Sequence, residues 1–492
     1  MSDLNHSLKT LGITLGAAVS LGLLVQRVLE YYKPPLPPSP RSYPFIGHLL
    51  SMPQSNQHLG FIELGKQLKS DIFSLRVLGQ TMIVLNSVEV ANKLLQNRSA
   101  IYSDRPRAPM LTEPSLLDAS GLVSITGYNE RWRKSRRLMH PWLNKQAVES
   151  FHHSQQAEAR MLLQRLIHSS ETSLSSEVLY YEVFTALSGT LLRSIYGYQI
   201  SGRDDPFLRE AIQLVHNLSD ALMPTNFLVN IIPSLRYVPS WFPGAGWKRV
   251  TQAWREQKER TMMGLFSKAK ESIDSGSDEP SMIASSLVGA EELGLSPEEV
   301  TDYLSYAGIT VYLGGAETTS NIFLIFAIAM MLYPEEQRKA QMEIDDLIGD
   351  SRLPVMNDRH MLPYTNRLIQ EILRWCPVTP TGVPHALTDN DTYEGFRMPT
   401  GAIVFANTWA MSRNEKVYKK PEEFNPDRFL DPSVPPCPVF GFGRRECPGN
   451  HFAESSIFII IASLLAVFNV RIPKNARGED IVPELTSKNT MI

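Results

Sequence analysis

Cysteine is scarce in this chain: Cys376, Cys437 and Cys447 are the only three among 492 residues. So few thiols exclude a disulfide framework and fit a reducing compartment. The absence of any CxxC pair argues against a structural zinc site. Charge of one sign is lacking too. With a net charge of -3 and 20% charged residues, a nucleic-acid binder that works through bulk charge is excluded, and no nucleic-acid partner is expected. No internal repeat is present at periods of about 20 to 50 residues, and no shift of composition after residue 45 marks a second globular unit.

From Thr10 to Gln26 (TLGITLGAAVSLGLLVQ) there is no charge at all. At ~1.5 Å per residue this run makes roughly 25 Å of helix, enough for a thin bilayer. A membrane anchor and a cleaved signal peptide both fit it. No A-x-A-like cleavage site follows, and Arg27, Lys33 and Arg41 after the run, against Lys9 before it, favour an anchor with the rest of the chain in the cytosol. Residues 1–30 are therefore expected to be an N-terminal transmembrane helix, 31–45 a proline-rich linker, and 46–492 one domain. Within the linker, Pro34 to Pro40 (PPLPPSP) should run as a stiff extended spacer.

Strand alternation in DIFSLRVLGQTMIVLN predicts a pair turned at Gly79-Gln80, and DTYEGFRMPTGAIVFAN predicts a second hairpin. Helical periodicity dominates elsewhere, over 130–216, 247–275, 297–348 and 364–375. The expected fold class is mainly α with small β-sheets.

A long helix should start at Ser296, a cap followed by Pro297 and by Glu299 in capping-box position, and stop at Pro334. Between Tyr303 and Tyr333 its only charge is Glu317, so it reads as a buried core helix or a second membrane span. A span would place Glu317 near mid-bilayer between acidic flanks, which favours the core helix. Its GGAETTS stretch is unusual. Gly314 and Gly315 together cost roughly 2 kcal/mol in a helix interior, and a flat ligand lying against the backbone would compensate. Glu317 and Thr318 then set an acid beside a hydroxyl, the parts of a proton relay. A kinked core helix with Thr318 bonded to its own turn fits the same residues.

In FGFGRRECPG the spacing F-x-x-G-x-R-x-C-x-G is met by Phe440, Gly443, Arg445, Cys447 and Gly449. A thiolate ligand needs such a setting: glycines that let N–H groups point at sulfur, and a helix start behind Pro448 whose positive end faces Cys447. Arg445 is placed to pair with a carboxylate of whatever the sulfur holds. The stretch imitates a dinucleotide G-x-G-x-x-G, but Glu446 stands at the third glycine and no clean strand precedes it. Cys437 and Cys376 lack this setting and read as packing cysteines.

FGFGRRECPG resembles the haem-ligand loop of the cytochrome P450 family, and further motifs stand in that family's order. GGAETT resembles its oxygen-activation motif, Glu371 to Arg374 (EILR) its ExxR, and Asn425 to Phe429 (NPDRF) the segment whose arginine, Arg428, completes that ion cluster. Trp132 and Arg136 resemble its W-x-x-x-R pair, and His385 stands at a position often held by a basic partner of the haem propionates. The resemblance implies haem b (iron protoporphyrin IX) with Cys447 as axial ligand to iron. Arg445, Trp132, Arg136, His385, Phe440, Gly443, Gly449, Gly314 and Gly315 would surround it, and Thr318 and Glu317 would deliver protons.

It also implies a monooxygenase that inserts one atom of O2 into a lipophilic small molecule. Its electrons would come from NADPH through NADPH-cytochrome P450 reductase, docked on the cations Arg133, Lys134 and Arg137. The protein would sit in the endoplasmic reticulum membrane as a single-pass protein facing the cytosol. Its substrate pocket should draw on Leu116 to Ile125, the NFLVNIIPSLRYVPSWF region, Tyr312, Leu313 and Val378 to Val383. LRYVPSWFPGAG and PLPPSP look like fungal microsomal members such as the O-methylsterigmatocystin oxidoreductase type, which points to secondary metabolism such as terpenoid tailoring. An aromatic, polyketide or xenobiotic hydroxylase is the alternative. From another class, a membrane-tethered haem-binding or sensor protein without turnover would need neither Glu317-Thr318 nor the cations.

Overall fold

The computed structural model describes residues 33–483 apart from 170–174, 203, 223–225, 277–280, 291–293 and 476. The anchor expected over Thr10 to Gln26 lies outside the described residues. The longer helices are α1 (Gln57–Leu68), α2 (Glu130–Leu143), α3 (His152–Ser169), α4 (Ser176–Tyr196), α5 (Pro206–Leu222), α6 (Trp247–Asp274), α7 (Met282–Ala290), α8 (Pro297–Leu332), α9 (Pro334–Ile348), α10 (Pro363–Trp375) and α11 (Asn450–Val467). The body is thus mainly helical, as expected, with sheet confined to short pieces.

Helix α8 organises the interior. The Ser296 side chain accepts from the Glu299 N–H at 3.3 Å and Glu299 Oε2 accepts from the Ser296 N–H at 2.9 Å, closing the capping box. Its first half buries Leu304, Ile309 and Tyr312 in one apolar core, against α2 and α4 to α7. Its second half buries Phe323, Phe326 and Met330 in another, against α3, α4 and α9 to α11. Length and composition would let α8 cross a membrane, but packing on both halves makes it an internal helix. Glu317 and Thr318 fall where the two cores meet. Helix α4 runs antiparallel to α8: a Cβ on Gly308 would meet Tyr196 Oη at 2.7 Å, and one on Gly315 would meet Leu191 Cδ1 at 3.0 Å.

The main sheet has the order β1 (Ile72–Val77), β2 (Gln80–Leu85), β6 (Ile403–Ala406), β3 (His385–Ala386), and β4 (Asp391–Tyr393) pairs separately with β5 (Phe396–Met398). Val77 pairs with Gln80, so the first hairpin turns at Leu78-Gly79, one residue earlier than predicted. Both turn residues have positive φ (48° and 89°), the twist a two-residue hairpin loop requires. The second predicted hairpin is shorter than its sequence: it turns at Glu394-Gly395, and IVFA leaves it to pair in parallel with β2. Strand β3 sets His385 opposite Val404 and so carries it to the sheet edge.

The proline-rich segment is not a free spacer. Pro37 and Pro38 carbonyls accept from Ser74 Oγ (2.7 Å) and the Ser74 N–H (2.8 Å), and the Pro35 carbonyl accepts from the Arg397 N–H (2.7 Å). His48 Nε2 lies 3.0 Å from the Pro40 carbonyl, while its Nδ1 accepts from the Arg76 N–H at 2.7 Å. Residues 35–48 are thereby bound along β1 and β5.

Candidate active site

The loop from Phe440 to Gly449 holds Cys447 through its glycines. Gly443 has φ +57°, and a Cβ there would lie 2.3 Å from the Leu95 carbonyl oxygen, so backbone shape and space both exclude a side chain. Its N–H donates to Gln96 Oε1 at 2.6 Å. The Cys447 N–H donates to the Phe440 carbonyl at 2.8 Å, folding the loop back on itself before α11 begins at Asn450.

The three cysteines now differ physically. Burial pushes the Cys437 thiol up to about 12 and the Cys376 thiol up to about 11, so both stay protonated. Cys447 alone is exposed. Burial raises it as well, but the Gly449 N–H and the Arg136 charge oppose the rise.

Beside it stands a group of cations whose guanidiniums bind backbone carbonyls rather than carboxylates. Arg445 is buried, donating from Nε to the Ser103 carbonyl (2.6 Å) and from its terminal nitrogens to those of Val123 (3.2 Å) and Thr126 (2.7 Å), with its guanidinium 4.5 Å from the Trp132 ring centroid. Burial, then Arg105, lowers it to about 8. Arg136, 5.8 Å from the same ring, is lowered by burial and reaches the Glu446 carbonyl at 3.3 Å. Arg105 is lowered to about 10 by burial; it holds the Ser124 (2.9 Å), Val383 (2.9 Å) and Pro384 (2.6 Å) carbonyls. None of the three makes a salt bridge among the described residues. Sequence reasoning missed Arg105, because in DRPRAP nothing separates it from the exposed Arg107 before folding.

His385 joins this group, lowered to about 3 by burial and by Arg105 and Arg445. Its Nδ1 lies 2.8 Å from the Tyr102 carbonyl, so the neutral ring leaves Nε2 as an acceptor. A carboxylate beside Nε2 would offset the two guanidiniums and restore its proton.

On α8 the structure separates the two glycines. Gly315 faces Leu191, whereas a Cβ on Gly314 would meet nothing within 4 Å. One turn on, Thr318 Oγ1 donates to the Gly314 carbonyl at 2.5 Å. Glu317 is half-buried, its Oε2 has no hydrogen-bond partner among the described residues, and burial pushes its carboxyl up to about 7. Between about pH 4.5 and 7 the unfolded chain releases this proton while the folded one keeps it, so folding stability falls as pH rises through that window. Glu317→Gln should therefore be the more stable protein at pH 7, by at most about 3 kcal/mol, with the gap closing below about pH 4.5. Denaturant midpoints across that range check it.

Several expected pocket positions pack in the core. Tyr312 is fully buried against α4, its hydroxyl 2.9 Å from Ser188 Oγ, and Leu313 packs in the same core. Leu116, Leu117, Leu122 and Val123 are core as well. Ser124, Ile125, Ile231, Arg236 and Val378 to Val383 do share a cleft, of about 2760 Å³. That is several times the roughly 300 to 1,000 Å³ of a single ligand site, and neither Cys447 nor Thr318 borders it.

Glu371 and Arg374 are fully buried on one turn of α10, with Nε to Oε2 at 2.7 Å and a second bond at 2.8 Å. Arg428 Nε reaches both Glu371 oxygens at 3.0 Å, and the Asn425 N–H adds a fourth donor side at 2.8 Å. On α2, Arg133 and Arg137 are exposed, but Lys134 pairs with Glu130 at 3.8 Å. Arg444 takes its place, sharing the Tyr128 ring with Arg133 (5.2 and 5.4 Å).

Comparison with known proteins agrees over nearly the whole chain. The profile of the family described as Cytochrome P450 matches residues 37–491. Cytochrome P450 monooxygenase 98 of Postia placenta is 37% identical over 476 residues, covering 95% of this chain and 89% of that protein. A cytochrome P450 monooxygenase of Armillaria gallica is 35% identical over 95% of this chain and 91% of its own length, and one of Coprinopsis cinerea is 35% identical with the same coverage.

Proposed function

This chain belongs to the cytochrome P450 family, whose cofactor is haem, and we propose that it inserts one atom of O2 into a lipophilic small molecule, with Cys447 as the iron ligand. The observation that carries the assignment is the pairing of the one exposed cysteine with three guanidiniums, Arg105, Arg136 and Arg445, that bind backbone carbonyls and make no salt bridge among the described residues. Both features fit a porphyrin that brings iron and two propionates. When bound, haem held through a thiolate activates O2 toward cleavage of its O–O bond.

The residues divide that work. The Gly449 N–H and Arg136 stabilise negative charge on Cys447 against burial. Arg105, Arg136, Arg445 and His385 would receive the propionates of haem, and the Trp132 ring lies against the Arg136 and Arg445 guanidiniums. Gly314 leaves the backbone of α8 open to the ring. Thr318, already donating to Gly314, presents its lone pairs to a proton donor, and Glu317 keeps a proton near neutral pH for it. Glu371, Arg374 and Arg428 hold the framework and touch no reactant.

The proposed setting is secondary metabolism such as terpenoid tailoring, on the resemblance of LRYVPSWFPGAG and PLPPSP to fungal microsomal members, and the relatives are fungal monooxygenases. Phe45, Leu50, Ile231, Ile232, Tyr237 and Trp241 are exposed, three of them above 70% (Phe45 73%, Tyr237 73%, Trp241 78%), and Ile231 borders the cleft. Such a rim supports attachment to the endoplasmic reticulum membrane, beside the expected anchor. Electrons from NADPH would reach the site through the reductase, docked at Arg133, Arg137 and Arg444. Arg133→Glu with Arg137→Glu should slow reductase-driven reduction by about tenfold or more at low salt and flatten its salt dependence. Stopped-flow reduction at two ionic strengths reads both. The activity itself is tested by incubating the protein with reductase, NADPH and labelled oxygen over a panel of lipophilic compounds. Product formation without label would contradict a monooxygenase.

A further inference from the structure

Lys258 on α6 is 3% exposed and makes no salt bridge among the described residues. Burying an ammonium this way is unfavourable unless every proton finds an acceptor. Its Nζ donates to the Leu117 carbonyl at 3.1 Å, to the Asp118 carbonyl, and to Tyr306 Oη at 3.2 Å. The Tyr306 hydroxyl, from α8, donates to the same Asp118 carbonyl at 2.8 Å. Asp118 has φ +50°, a left-handed conformation uncommon outside glycine, asparagine and aspartate. One turn earlier on α6, Arg255 donates to the Pro114 carbonyl at 2.5 Å and to Asp118 Oδ2 at 3.4 Å. A methionine would fill the Lys258 site without desolvation, so packing alone does not account for an ammonium there.

The same segment is held again a few residues on. A Cβ at Gly121 would lie 2.4 Å from the Tyr306 ring and 2.6 Å from Arg131, so the chain is pressed flat between α8 and α2. The Val123 N–H donates to Thr310 Oγ1 at 3.1 Å. The Val123 and Thr126 carbonyls then accept from Arg445, and the Ser124 carbonyl from Arg105. One short stretch of backbone therefore joins α6 to the two arginines at the candidate site, and Ser124 and Ile125 on it border the apolar cleft.

We propose that Lys258 is a positioning residue that fixes the 114–126 segment between α6 and the Arg105-Arg445 pair, so that it sets the shape of the substrate wall and couples movements of α6 to it. The reading of that wall rests on the function proposed above; the clamp itself does not. A lysine is suited to this, because three donors on a flexible stem can hold two consecutive carbonyls and a phenol at once.

The test uses the full-length holoprotein and its Lys258→Met and Tyr306→Phe variants. Hydrogen exchange should speed up by about tenfold or more at amides 114–126 in Lys258→Met, and less in Tyr306→Phe, while α10 keeps its protection. A series of N-alkylimidazoles, followed by the shift of the haem absorption band, should bind the wild type with affinity that depends steeply on chain length. That dependence should flatten in Lys258→Met. Unchanged exchange over 114–126, or an increase of equal size throughout the protein, overturns the proposal. If Lys258→Met does not fold, the Tyr306→Phe exchange pattern decides by the same criterion. If no imidazole shifts the wild-type band, the haem reading fails, and the exchange result still stands or falls separately.

Discussion

Replacing Cys447 with serine is expected to reduce oxygen insertion to the level of free haem and to remove the red-shifted absorption band of the reduced, carbon monoxide-bound protein. Serine is close in size, so the loop should survive: the Cys447 N–H to Phe440 bond and the Gly443 contacts do not involve the side chain. What disappears is the sulfur. A hydroxyl cannot give up its proton under conditions where a thiol, aided by an N–H and a guanidinium, can. The same change at Cys376 or Cys437 should leave the band intact, since both are protonated packing groups; each should lose about 1 to 2 kcal/mol of stability by burying a hydroxyl. Spectra of the three variants at matched haem content make the comparison. A red-shifted band surviving in Cys447→Ser, or vanishing in Cys437→Ser, would place the ligand elsewhere.

The second large effect concerns Glu371, Arg374 and Arg428. Arg374→Met should destabilise the protein by about 3 to 5 kcal/mol, because it strands a fully buried carboxylate beside one remaining arginine. It also frees the Ser412 carbonyl, which Arg374 binds at 2.8 Å. Against a total stability of about 5 to 15 kcal/mol this is enough to lower soluble, haem-loaded yield sharply. Glu371→Gln should be nearly as harmful, leaving two cations for one neutral amide. The double variant Glu371→Gln with Arg374→Met should be less harmful than the sum of the two singles, because the second change removes the charge that the first left unpaired. Thermal midpoints and haem-to-protein ratios of all three variants provide the readout. Additive losses would mean that the pair does not act as a unit.

How much of this was legible in the sequence depended on whether a feature is local. The cap of α8, its stop at Pro334 and the glycine-rich loop before α11 are set by neighbours in the chain, and they stand where the residues place them. Arg105 was not legible, because its character comes from Val383, Pro384 and Arg445, distant residues that only the folded sheet assembles. Tyr312, expected near the pocket from the resemblance alone, lies buried against α4, and helical spacing says which residues share a face but not which face looks at α4. The Gly314-Gly315 pair shows both outcomes at once. Adjacent in sequence, the two point roughly 100° apart around α8, so one is open and the other is filled by Leu191. Lys134 reads in the sequence as part of a cationic face, but in the fold it pairs with Glu130 one turn earlier.

The bound proline-rich segment matters for heading more than for reach. Because residues 35–48 are pinned to β1 and β5, Lys33 and Pro34 are held at one fixed spot, beside Asn390, Asp391 and Arg397. A slack leash would let the body tumble through every orientation. This segment works instead like a mast step, fixing the place and heading of the chain at Lys33 relative to the whole helical body.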